Sequence, residues 1–269
     1  MTLPHHQPIR ELLVSAEAGR KLLDETARLA IWDLTGDQLA DLRLLVNGGY
    51  APLRGFLPQA DHQAVLEQMR LASGALWPVP VPLDISAEFA AEIDAGEDIA
   101  LRAPDGTILA IMSITDKWAP DWRAEAKELF GGCDPSHPGV VRMAALAGRV
   151  CLGGPVKGLP VPDAVAGGPN AMRSDWREQG RARVLACDPG DEALARPVAQ
   201  ALDATLLTLP APRHYGPREA LRLAILARNY GATDLLLPAD EAAQDLLRAH
   251  QDEIGVTLAR RDSADVLSG

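Results

Sequence analysis

Residues 188–192, Asp-Pro-Gly-Asp-Glu, set three carboxylates within five positions, directly after the apolar run Val184-Leu185-Ala186-Cys187. Carboxylates so spaced can turn oxygens toward a hard cation such as Mg²⁺, with Asp188 and Asp191 as candidate ligands. The same residues also suit the start of a helix, whose dipole favours negative charge without any metal. A second group, Arg213, His214 and Arg218, flanks Pro217, a residue suited to the first position of a helix. Placed there, they could hold an anion or a nucleotide phosphate, or they could simply cap and solubilise the helix. His5 and His6 sit among prolines at the N-terminus and read as a polar tail.

The elements that must position these groups exceed one typical domain, since the chain has 269 residues. A formal net charge of -11 repels nucleic-acid phosphate and anionic membrane surfaces unless a basic patch overrides it. The densest basic stretch, Arg173 to Arg183, interleaves Asp175 and Glu178 and reads as a solvated helix face. Neither nucleic acid nor membrane is therefore expected as a partner. Cys133, Cys151 and Cys187 form neither a C-x-x-C pair nor a zinc pattern and are expected as reduced, partly buried thiols. The N-terminus lacks the apolar core of a signal peptide, and no run of about 18 apolar residues occurs, so a cytoplasmic location is expected.

Leu39, Leu42, Leu45 and Val46 recur at helical spacing, and Asn47-Gly48-Gly49, residues that tolerate positive φ, stops that helix. A loop with apolar anchors, Tyr50 to Leu57, precedes a helix from about Asp61 to Leu71. From Trp77 the pattern becomes β-like, with Asp105-Gly106 as a hairpin turn and Pro78, Pro80 and Pro82 suiting an edge strand or extended segment. Gly and Pro concentrate over Gly153 to Asn170, the expected linker between a domain at 1–160 and one at 170–269. After it, strands at Arg183–Cys187, Thr205–Leu209 and Asp234–Leu237 alternate with helices, one of them from Pro217 to about Asn229. That alternation implies a parallel, Rossmann-like sheet.

Leu42 to Phe56, LRLLVNGGYAPLRGF, is very similar to the N-terminal, PUA-like domain of ATP sulfurylase (sulfate adenylyltransferase). The resemblance continues in family order through Ser73 to Pro80, Thr115-Asp116, and Phe130 to Val140. His214 to Leu221 and Arg228 to Gly231 resemble a helix of the family's catalytic domain. The resemblance implies an α+β, β-rich PUA-like domain followed by a shortened α/β Rossmann-like nucleotidyltransferase-type domain, and an origin in sulfate activation.

Family members join sulfate to the α-phosphate of ATP, using a Gln-x-Arg-Asn segment after the first catalytic-domain strand and two histidines three residues apart at a helix start. By register Asp188 replaces the glutamine, Gly190 the arginine and Asp191 the asparagine, while Leu194 and Pro197 fall at the histidines. A unit charge pair about 4 Å apart is worth about 1 kcal/mol in water and about 4 kcal/mol at an effective dielectric of about 20. Repulsion of that order opposes a triphosphate, and Arg196 is the cation nearest in sequence. A second family loop, Gly-Arg-Asp-His-Ala-Gly, is here Pro238-Ala239-Asp240-Glu241-Ala242-Ala243. The stretch between the Asp188 loop and His214 is also several dozen residues shorter than in the family.

The resulting expectation is a catalytically degenerate homologue serving as an interaction or oligomerisation module linked to sulfate activation, without a cofactor. An APS kinase on a separate chain would be its partner, because no G-x-x-x-x-G-K-[ST] loop is present; a homo-oligomer is the other possibility. Two alternatives stay open. One is residual, Mg²⁺-dependent nucleotidyl transfer through Arg213, Arg218 and the carboxylates. The other is a small-ligand or RNA-binding role for the PUA-like domain.

Overall fold

The computed structural model describes residues 8–161, 167–209 and 216–259. The chain divides into two units, Arg10–Ala166, and Met1–Ile9 together with Gly167–Gly269. Pro8 and Ile9 thus group with the second unit, outside the unit that holds most of the expected 1–160 domain. The tie is visible at Ile9, whose N–H donates to Asn170 Oδ1 and whose carbonyl accepts from Asn170 Nδ2, both at 2.8 Å.

The strands of the Arg10–Ala166 unit are β1 (Ala30–Asp33), β2 (Gly55–Phe56), β3 (Leu83–Ile85), β4 (Asp98–Arg102), β5 (Ile108–Ser113), β6 (Asp116–Trp118) and β7 (Val150–Gly158). Its helices are α1 (Ala16–Glu25), α2 (Gly36–Val46), α3 (Gln59–Gln68), α4 (Ala87–Ala90), α5 (Trp122–Phe130) and α6 (Pro138–Ala145). The sheet order is β1-β4-β5-β7-β2, with β3 and β6 also paired to β7. β7 is long enough to serve four partners: Val150–Leu152 pairs with β3 and Cys151–Gly153 with β6, while Gly154–Pro155 pairs with β2 and Val156–Gly158 with β5. The expected linker therefore begins too early. Gly153 to Gly158 is central strand; Gly153 and Gly154 are there because backbone passes close, and Gly158 because Val46 and Leu13 side chains press on it.

α2 starts as the Leu periodicity predicts, with a capping box in which Thr35 and Gln38 satisfy each other's backbone N–H groups. The stop is at Asn47, but the left-handed residue is Gly48 (φ +83), not Gly49. Gly48→Ala should cost about 1 kcal/mol in a urea melt, against a smaller loss for Gly49→Ala; equal losses would refute the assignment. Between Trp77 and Val81 the prolines prevent strand pairing. The segment is instead extended and buried, with Trp77 edge-on to Tyr50 at 5.1 Å, and strand begins only at Leu83. β4 and β5 form the hairpin at Asp105-Gly106, Gly106 taking φ +90. Ile99, Ala100 and Leu101 are all buried, as in a strand covered on both faces.

The second unit holds α7 (Pro169–Glu178), β8 (Val184–Cys187), α8 (Glu192–Ala201), β9 (Thr205–Thr208), α9 (Arg218–Asn229), β10 (Asp234–Leu235), α10 (Glu241–Ile254) and β11 (Thr257–Leu258). Its strands make one parallel sheet, ordered β11-β10-β8-β9, as the alternating pattern predicts. β11 was not anticipated; two residues are too few to show a period. Leu185, Cys187, Ala195, Val198, Ala199 and Leu236 form the core between this sheet and α8.

From Arg173 to Arg183 the face is solvated as read at Asp175, Arg177, Glu178, Arg181 and Arg183, with Arg173 the charged exception. Arg173 is 3% exposed and donates to the carbonyls of Asn229 (2.6 Å) and Arg228 (2.7 Å), placing a cation at the negative end of α9. Burial pushes its guanidinium down to about 10, so it stays charged at neutral pH. Trp176 Nε1 donates to Tyr230 O at 3.1 Å beside it. Among the described residues no helix is long and apolar enough to cross a membrane.

Candidate functional site

In an open parallel sheet, ligands bind beyond the carboxyl ends of the strands, where the connections leave in opposite directions. Here that point lies at β8, which has β9 on one side and β10 on the other. The loops opening there are Asp188–Asp191 after β8 and Leu236–Asp240 after β10.

What these loops present is acidic and locally engaged. Asp188 Oδ1 accepts from the Gly190 N–H at 2.9 Å, and the Asp191 N–H closes the turn on Asp188 O at 3.0 Å. Glu192 Oε1 accepts from Thr208 Oγ1 at 2.8 Å, and its other oxygen lies 3.4 Å from Arg196. Asp240 caps α10 through the Ala243 N–H. Cys187, buried at the end of β8, reports the local field: burial, then Glu192, Asp191 and Asp188, push its thiol up to about 11.

Among the described residues no three His, Cys, Asp or Glu side chains are gathered for a metal ion. At the candidate pair Asp188 and Asp191, Asp188 uses one carboxylate oxygen within its own turn. Leu194 and Pro197 both lie on α8, Leu194 47% exposed. Arg218 is the first residue of α9, whereas Arg213 and His214 lie outside the described residues.

Sequence reading missed two charged pairs. On α9, Arg222 is 2% exposed and its Nε lies 2.9 Å from Glu219 Oε2, a pair whose i,i+3 spacing is legible but whose burial comes from tertiary packing. At the opposite edge of the sheet, Arg183 bonds Asp234 through two contacts of 2.8 Å, joining the starts of β8 and β10.

The thiols differ in access: Cys133 is exposed, while Cys151 and Cys187 are buried. Burial and nearby Glu125 and Asp84 push Cys151 far up. In the folded protein at pH 8, Ellman's reagent should therefore titrate one thiol quickly and the other two only on unfolding. Rapid reaction of a second thiol would contradict the burial.

The fold and site define a β-rich domain joined to a doubly wound nucleotide-binding-type unit, and residues 2–160 match the family model of a PUA-like domain. The chain belongs to the sulfate adenylyltransferase (ATP sulfurylase) family: it is 31% identical to the enzyme of that name from Symbiobacterium thermophilum, over 89% of this chain and 73% of that one. It is also 31% identical to the sulfate adenylyltransferase of Eremothecium gossypii, over 95% of this chain but only 64% of the relative's length. That aligned span of 323 residues exceeds the 269 of this chain, so the relative carries insertions within it. The fold is similar, with a TM-score of 0.70 and 24% identity, to a solved hexameric APS kinase from Thiobacillus denitrificans, over 93% of this chain and 54% of the other.

Proposed function

We propose that this chain is a sulfate adenylyltransferase homologue without catalysis, acting as an interaction or oligomerisation module in sulfate activation. The chemistry of the loop after β8 carries the reading. Adenylyl transfer to sulfate needs donors and cations where charge develops on phosphorus and sulfate oxygens. This loop offers Asp188, Asp191 and Glu192 instead, with Leu194 and Pro197 at the positions of the family's histidines. No metal or other cofactor belongs to this reading. The partner is a second copy of the chain or a separate APS kinase, met in the cytoplasm, and neither nucleic acid nor membrane is involved.

Isothermal titration with ATP, with and without Mg²⁺, should show no saturable binding. Sedimentation of the chain alone and mixed with a purified APS kinase tests the module itself. A stable homo-oligomer or a mixed complex supports it. A monomer that ignores the kinase overturns it.

A further inference from the structure

In the ladder between β2 and β7 the main chain of Gly55 is left over. Gly55 faces Pro155, which has no N–H, so the bonds fall on its neighbours, the Val156 N–H donating to Arg54 O at 3.0 Å. The N–H and C=O of Gly55 therefore turn away from β7, and β2 ends the sheet order. Gly55 is buried, and neither group has a hydrogen-bond partner among the described residues. A buried peptide donor and acceptor left open side by side call for a ligand that offers the reverse pair.

Gly55 lines a cleft of about 340 Å³, the size of a small-molecule site. Among the described residues its charged lining is Arg54 and Asp61, one of each sign. The exposed Arg54 has no ion-pair partner among the described residues. Asp61 spends one oxygen on the Ala72 N–H at 2.7 Å and keeps the other. Leu53, Leu57 and Leu71, all buried, make the lining apolar, and Pro52 and Pro155 stiffen it, so the cleft is formed before anything enters.

We propose that this cleft binds an apolar α-amino acid in its free, zwitterionic form. The carboxylate takes the Gly55 N–H and the Arg54 guanidinium, the ammonium donates to the Gly55 carbonyl and to Asp61, and the side chain meets the leucines. One α-carbon carries acceptor and donor much as the residue of a neighbouring strand would present them to Gly55. A dianionic phosphate is the poorer match, since Asp61 repels it and the Gly55 carbonyl gains no donor. A peptide carboxyl-terminus offers an amide N–H in place of the ammonium and leaves Asp61 without a counter-charge. The proposal does not rest on the function proposed above, since that reading concerns the other unit.

The test is equilibrium dialysis of the full chain against radiolabelled leucine at low ionic strength, which should show saturable binding at one site per chain. Isocaproate lacks the ammonium, isoamylamine lacks the carboxylate and N-acetylleucine has an amide for the amine; each should compete at least about tenfold more weakly than unlabelled leucine. Asp61→Asn retains an acceptor for the Ala72 N–H, and Arg54→Gln changes an exposed side chain, so both should fold, and each should weaken leucine binding about tenfold. Arg20→Gln, an exposed change on α1, should bind as the parent does. N-acetylleucine competing as well as leucine would assign a peptide carboxyl-terminus and overturn the amino-acid proposal. Absence of saturable binding, equal competition by isocaproate or isoamylamine, or unchanged affinity in either cleft variant overturns it as well.

Discussion

Given APS, pyrophosphate and Mg²⁺, the purified chain should release no ATP above background in a luciferase-coupled assay, and ATP with sulfate should yield no APS. Removing one preorganised donor to a transition-state charge typically costs about a hundredfold to a thousandfold in rate. On the register that the resemblance implies, Gly190, Leu194 and Pro197 stand where the family carries its arginine and two histidines. The loop that replaces them adds charge of the wrong sign. The rescue that chemistry allows is a divalent cation recruited by the carboxylates, with Asp188 keeping one oxygen on the Gly190 N–H. Metal-dependent ATP formation that disappears in Asp188→Ala and Asp191→Ala would overturn the non-catalytic reading.

Gly154→Ala should be the most destabilising small substitution in the PUA-like domain, lowering its unfolding free energy by about 3 kcal/mol or more. Gly154 takes φ +152, and a Cβ built there would lie 1.9 Å from Ser113 O. Relief by movement is blocked. A Cβ on Gly153 would meet Pro58 Cα at 2.4 Å, and one on Gly55 would meet Gly154 O at 2.2 Å. The Thr115 N–H and Oγ1 both donate to Gly153 O, at 2.8 and 3.0 Å. Gly132, with open space around it, is the control, where Ala should change stability by less than about 0.5 kcal/mol. Equal urea midpoints for the two variants would show that β7 can shift aside.

These glycines also show where sequence reading reached its limit. Gly153, Gly154 and Pro155 look like linker composition, because a glycine needed for close backbone approach and a glycine in a flexible segment are the same letter. Only the positions of Ser113 and Pro58 separate the two. Arg173 is a second case: its burial depends on carbonyls at 228 and 229, and no local pattern reports a contact so distant in sequence. The α/β unit was more legible, because strands and helices there carry their own periods and α9 stops before Gly231 at φ +88. The two loops of the candidate site were recognisable by resemblance, but that they follow neighbouring strands, β8 and β10, required the strand order.

The place of β7 in the chain governs when its domain can form. It is the last strand of its sheet to be synthesised, and β2, β3, β5 and β6 all wait for it. On the ribosome the β4–β5 hairpin can close early, since its contacts are local. β2, β3 and β6 instead leave the exit tunnel with unpaired edges, exposed to neighbouring nascent chains until residues 150–158 emerge. Premature termination between Trp118 and Val150 would therefore release a fragment with several open strand edges, a substrate for chaperones and proteases.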